Sequence, residues 1–153
     1  MARIEDIAQA TREAVLALEC TSSPNRPFVA GPPLSERRVS IVSSAALFQR
    51  GEAPFMPGSA EYRELPAQLA ASDILMSHVS INYDRTGWQR DINTVYPVDR
   101  LRELAAEGVI GSAAASHFSV MGSTDPKVMA ETADSISARM KKDRIDAVLF
   151  SPV

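Results

Sequence analysis

The chain is poor in the residues that most often carry metal or redox chemistry. Its 153 residues include one cysteine, Cys20, and two histidines, His78 and His117. A single cysteine excludes an internal disulfide and any multi-cysteine metal site. With so few soft ligands, no metal site is expected. An excess of positive charge is missing as well. The formal net charge is −3, and a phosphate backbone needs a basic surface, so nucleic acid is excluded as a partner. No apolar run approaches the roughly 18 residues of a membrane span. The N-terminus carries Glu5 and Asp6 where a signal peptide would have its apolar segment. The expected location is therefore the cytoplasm. Gly111 and Gly122 form no Gly-x-Gly-x-x-Gly fingerprint, so no nucleotide site is read.

What is present is an ordinary globular composition, 45% apolar and 23% charged, in a chain long enough to bury one core. Residues 5–18 place Ile7, Val15 and Leu18 near helical spacing. Residues 21–33 hold Pro24, Pro27, Pro32 and Pro33 and predict an extended connector. Residues 38–47 are a β-branched apolar run of the buried-strand kind, and residues 49–66 are a polar, glycine- and proline-punctuated loop. A second strand is predicted over 74–81, then an irregular stretch over 82–93. Residues 97–108 predict a helix with Asp99 as its N-cap and Gly108 as its stop.

A third strand is predicted over 115–122. Asp125 and Pro126 then open a long helix with an apolar stripe at Val128, Met129, Thr132, Ile136 and Met140. Its C-terminus carries Arg139, Lys141 and Lys142, where positive charge suits the helix dipole. Residues 146–153 form a fourth predicted buried strand. Strands alternating with helices predict an α/β fold with three layers and a largely parallel sheet. It reads as a Rossmann-like or flavodoxin-like half, truncated after a central strand. Residues 1–33 form an N-terminal helix and connector, and residues 34–153 form the α/β domain. In such sheets ligands bind beyond the carboxyl ends of the strands, where the chain reaches Ser151, Pro152 and Val153.

Five residues are candidates for substrate binding or support. His78 and His117 lie on predicted strands, as proton donors or ligands or as hydrogen-bonded core histidines. Asp91 and Asn93 precede the 97–108 helix and either orient substrate or pin a loop. Arg100 faces a carboxylate substrate or forms a surface ion pair. Tyr83 and Trp88 line a pocket or anchor the core. Cys20, on the connector, reads as an inert thiol.

Several stretches, taken in order, resemble the selenoprotein B family of glycine/sarcosine/betaine/D-proline reductases. They are PPLSERRV (residues 32–39), SHVSINYDRTG (77–87), DIN (91–93) with YPVDRLREL (96–104), GVIG (108–111) with HFSVMG (117–122), and RIDAVLFSPV (144–153). The chain departs from the family at Val79-Ser80-Ile81-Asn82, where relatives are often richer in histidine and aspartate.

The resemblance implies reductive cleavage of a C–N bond in an amino-acid-like substrate by a selenolate or thiolate. The nucleophile is expected directly after Val153, so no catalytic residue lies within the chain and this form is expected to be inactive. The chain end is expected to be a UGA selenocysteine codon read as stop. No cofactor is expected on this chain; the resemblance implies a pyruvoyl group on a partner subunit. The competing reading is a free-standing α/β small-molecule-binding or oligomerisation module without catalysis, with a homo-oligomer burying the last strand.

Overall fold

The computed structural model describes residues 3–17, 28–80 and 83–153. Cys20, Leu18 and most of the predicted connector lie outside the described residues. The chain divides into two compact units, Met1–Ala30 and Gly31–Val153. In the first, helix α1 (Gln9–Leu16) follows a short 3-10 turn and buries none of its residues.

The second unit is a mixed α/β fold with a mostly parallel sheet between two helical layers. Its elements are β1 (Arg38–Ser43), β2 (Leu47–Gln49), β3 (Tyr62–Pro66), β4 (Ile74–Met76), α2 (Thr86–Arg90), α3 (Val98–Ala106), β5 (Ser112–Ala113), β6 (Ser116–Val120), α4 (Ala130–Lys142) and β7 (Ala147–Ser151). Strand β1 is the hub. Val39 pairs with Ala113 of β5 and with Ala147 of β7, so those two strands flank it on opposite sides. Strand β6 extends the β5 line along β1, and all three pairings with β1 are parallel. Strand β3 adds antiparallel to β6, while β2 and β4 form a separate antiparallel pair.

The alternation of β1 explains the layers. Val39 and Ile41 join Leu101, Val98 and Ile110 in the core under α3, whereas Val42 turns to the opposite face with Phe118, Ile136 and Met140 of the α4 core. Phe118 is fully buried, and burying such a side chain contributes about 1.5–3 kcal/mol. Helix α3 ends as expected from Gly108, which adopts φ +72°, a conformation that suits glycine. Helix α4 is tied to the sheet by Arg139, which donates to Glu64 Oε1 at 2.7 Å and Oε2 at 3.0 Å. No helix of the described residues is long and apolar enough to cross a membrane.

Four expectations need correction. The predicted 49–66 loop ends in strand β3, which is set by pairing with β6 and has no period of its own. The irregular 82–93 stretch contains α2. Asp99 is not the N-cap of α3; Pro97 holds that position, and the Asp99 N–H is capped by Asn93 Oδ1 at 3.0 Å. Finally, β7 is not a central, buried strand here. Among the described residues it pairs only with β1, and Leu149 and Phe150 are 41% and 70% exposed.

Candidate functional site

The connections of the sheet decide where a crevice forms. From β1 the chain passes through the α3 layer to β5 and β6; from β6 it crosses through the α4 layer to β7, on the far side of β1. The consecutive parallel strands therefore stand in the order second–first–third. In doubly wound sheets of that order the ligand crevice opens between the first and third strands, beyond their carboxyl ends. Here those ends are Ser43 of β1 with Ser44 just after it, and Ser151 of β7 with Pro152 and Val153 just after it.

Ser44 organises this edge. Its N–H donates to Ser151 O at 3.1 Å, and its carbonyl accepts the Gly122 N–H at 2.9 Å. Its hydroxyl accepts the Val153 N–H at 2.8 Å. A Cβ on Gly122 would lie 2.7 Å from Ser44 O, so only glycine permits this approach. Beside it, Ser43 Oγ donates to Val95 O at 2.8 Å, tying β1 to the segment before α3. The chain then turns off the sheet at Ala46, whose φ of +54° is left-handed; for a residue with a Cβ this costs about 1–2 kcal/mol.

His78 stands next to this edge, because Ser77 N–H donates to Ala46 O at 3.0 Å. The imidazole is buried, accepts the Ser80 N–H at Nδ1, and meets Tyr83 edge-on with centroids 5.7 Å apart. A neutral ring in this arrangement carries its proton on Nε2. Arg85 clamps the turn by donating to His78 O at 2.7 Å and Ser80 O at 3.1 Å. Burial, then the Arg85 charge, lowers the His78 pKa.

The other predicted residues lie in different hydrogen-bonded groups. His117 is the second residue of β6 and fully buried. Its Nδ1 accepts the Ile41 N–H at 3.1 Å and lies 3.3 Å from Ser40 Oγ, while Nε2 has no partner among the described residues. Burial, with a smaller contribution from Arg102, pushes its pKa down to about 4. Asp91 Oδ1 accepts both the N–H and the side-chain amide of Asn93, at 2.9 and 2.8 Å. Those hydrogen bonds lower the Asp91 pKa. Asn93 also donates to Asp99 Oδ2 at 3.1 Å. Arg100 pairs with Glu103 at 2.8 Å on the exposed side of α3. Tyr83 and Trp88 both pack on the α3-side core. Ser44 and Gly122 were missed by sequence reading; the available signal was a serine at a strand end and a glycine closing the next.

Fold and edge together define an α/β domain with a mostly parallel sheet whose β1 and β7 end side by side. Residues 66–152 match the family model for glycine/sarcosine/betaine reductase selenoprotein B, and the chain belongs to that family. It is similar to the D-proline reductase subunit gamma of Acetoanaerobium sticklandii, 30% identical over 121 residues, covering 77% of this chain and 49% of that protein. It is also similar to the glycine reductase complex component B subunit gamma of Symbiobacterium thermophilum, 28% identical over 123 residues, covering 77% of this chain and 29% of that protein. The chain thus spans half or less of the length of these relatives. No solved structure matches it.

Proposed function

We propose that this chain is the N-terminal scaffold of a reductase subunit that cleaves the C–N bond of an amino-acid-like substrate with a selenolate or thiolate. The observation that supports this best is a coincidence of position. The family match runs to residue 152, and Val153 emerges at the crevice between β1 and β7. A nucleophile directly after Val153 would stand at the ligand edge of the sheet.

The reaction balances as three displacements. The selenolate or thiolate attacks the substrate carbon, and the amine leaves with the C–N electron pair and takes a proton. A thiolate then attacks the selenium or sulfur of the adduct. The carbon departs with that electron pair and is protonated, and a second thiol reduces the resulting Se–S or S–S bond. Within this chain the neutral His78 ring, with its hydrogen on Nε2, is the candidate hydrogen-bond donor to the departing amine, which takes its proton from water. The 153 residues alone carry out no turnover. The nucleophile is supplied after Val153, and the companion chain is a partner subunit of a reductase complex. The family resemblance puts a pyruvoyl group on that partner, and no residue of this chain is assigned to hold it.

Reading the DNA beyond the Val153 codon tests the proposal. The expected result is UGA or a cysteine codon followed by a family-like frame; another stop codon, or an unrelated frame, overturns it.

A second reading, self-association in place of catalysis, is favoured by one observation. Phe150 stands 70% exposed on a strand without lysine, proline or bulge, and natural sheet edges are usually protected by such devices. Light scattering on the eluting chain separates an oligomer from a monomer.

A further inference from the structure

In an ideal parallel ladder the N–H two residues beyond an accepting carbonyl returns to the carbonyl of the partner residue. Between β1 and β7, Ser44 N–H donates to Ser151 O, so the next bond would run from Val153 N–H to the Ser44 carbonyl. That carbonyl is turned away, to the Gly122 N–H at 2.9 Å. The Ser44 hydroxyl takes its place, accepting the Val153 N–H at 2.8 Å, with its own hydrogen within reach of Val153 O at 3.5 Å. One residue thus holds the ends of two strands, β6 through its main chain and β7 through its side chain. Gly122 is what lets the two approach, since an added Cβ would meet Ser44 O at 2.7 Å and Ser44 Oγ at 3.0 Å.

We infer that Ser44 is a positioning residue for the group that follows Val153, aiming the exit of β7 into the crevice. This rests on the proposed reductase reading and deepens it. An alanine at position 44 leaves the Val153 N–H without an acceptor and frees the end of β7, while the Ser44–Gly122 main-chain bond survives. A threonine keeps the hydroxyl.

Two measurements test it. In the 153-residue chain, hydrogen exchange of the Val153 amide should accelerate in Ser44→Ala, by about tenfold for the loss of one bond worth about 1.4 kcal/mol. Ser44→Thr should keep the protection. In the full-length polypeptide, with cysteine at the position after Val153 and every other cysteine, Cys20 included, replaced by serine, iodoacetamide alkylation is followed against pH. With Ser44 the midpoint should lie below the value of about 8.5 for a free thiol. Ser44→Ala should move it toward that value, and Ser44→Thr should restore it. Where the alanine variant does not fold, Ser44→Val, which matches threonine in shape and lacks the hydroxyl, replaces it. A midpoint indifferent to residue 44, or a threonine variant that behaves as alanine, overturns the role of Ser44 alone. A downstream frame with neither cysteine nor selenocysteine after Val153 overturns the reductase reading as well.

Discussion

His117 Nδ1 accepts the main-chain N–H of Ile41 at 3.1 Å, supplying from a side chain the acceptor that β1 lacks where β5 gives way to β6. The bond requires an unprotonated Nδ1. It ties the stability of the sheet centre to pH.

The folded-state pKa of His117 is pushed down to about 4 from the usual 6.5. The unfolded chain therefore takes up a proton first as pH falls. Above pH 6.5 the residue makes stability independent of pH; between about 6.5 and 4 stability declines, and below about 4 the decline ends. The full loss is about 3 kcal/mol. His78, also lowered, adds a decline of the same sign. Urea unfolding at a series of pH values measures the total, and the slope should flatten in His117→Phe. That variant should also lose about 1–3 kcal/mol at pH 7, because the Ile41 N–H is left without an acceptor.

Asn93 is predicted to matter for folding. Its side chain accepts from Asp99 N–H and donates to Asp91 and Asp99. Asn93→Ala should cost about 1–2 kcal/mol through loss of this cap, read from a denaturant melt by circular dichroism. Arg100→Ala, which removes only an exposed pair with Glu103, should shift the melt by less than about 0.5 kcal/mol.

The Arg139–Glu64 pair should contribute about 1 kcal/mol, modest because both groups are about a third exposed. The Arg139 hydrogen bonds hold the Glu64 pKa below its usual 4.5. The contribution is therefore present above the unfolded value and lost as pH falls through the folded one. A double-mutant cycle with Arg139→Ala and Glu64→Gln should show the coupling at pH 7, weaker in high salt. Equal coupling in low and high salt would contradict it.

Phe150 borders an apolar groove of about 310 Å³ between α4 and β7, with Val42, Val148 and Met140. Phe150→Asp should reduce binding of an apolar dye and any self-association seen by light scattering. It should change unfolding stability by no more than about 0.5 kcal/mol, because the ring is 70% exposed. A loss of several kcal/mol would mean that the ring is buried in solution.

Much of the fold is legible in the residues themselves. The run that became β1 is rich in β-branched residues, Gly108 ends α3 in the conformation glycine alone adopts easily, and the stripe at Ile136 and Met140 does bury against the sheet. These signals are local, since they depend on period, propensity and the φ a residue tolerates. Of the candidate site only the place was legible: the alternation of elements points to the strand ends near Val153 as the edge where a ligand is expected.

Where each hydrogen bond goes was a matter for the tertiary structure. No period in residues 62–66 announces β3, because its partner β6 lies some fifty residues away and supplies the ladder. The Asp91–Asn93 block reads equally as substrate contact or as cap until Asp99 is seen closing onto it. His117 reads as ligand or core histidine until Ile41 claims its Nδ1. Ser44 carries no sequence signal beyond being a serine at a strand end. Its role arises because β6 draws its carbonyl to one side while β7 presents Val153 N–H on the other. Composition and period determine which segments become strands and helices; the register between distant strands decides which polar atom meets which, and the chemistry of the edge follows from that.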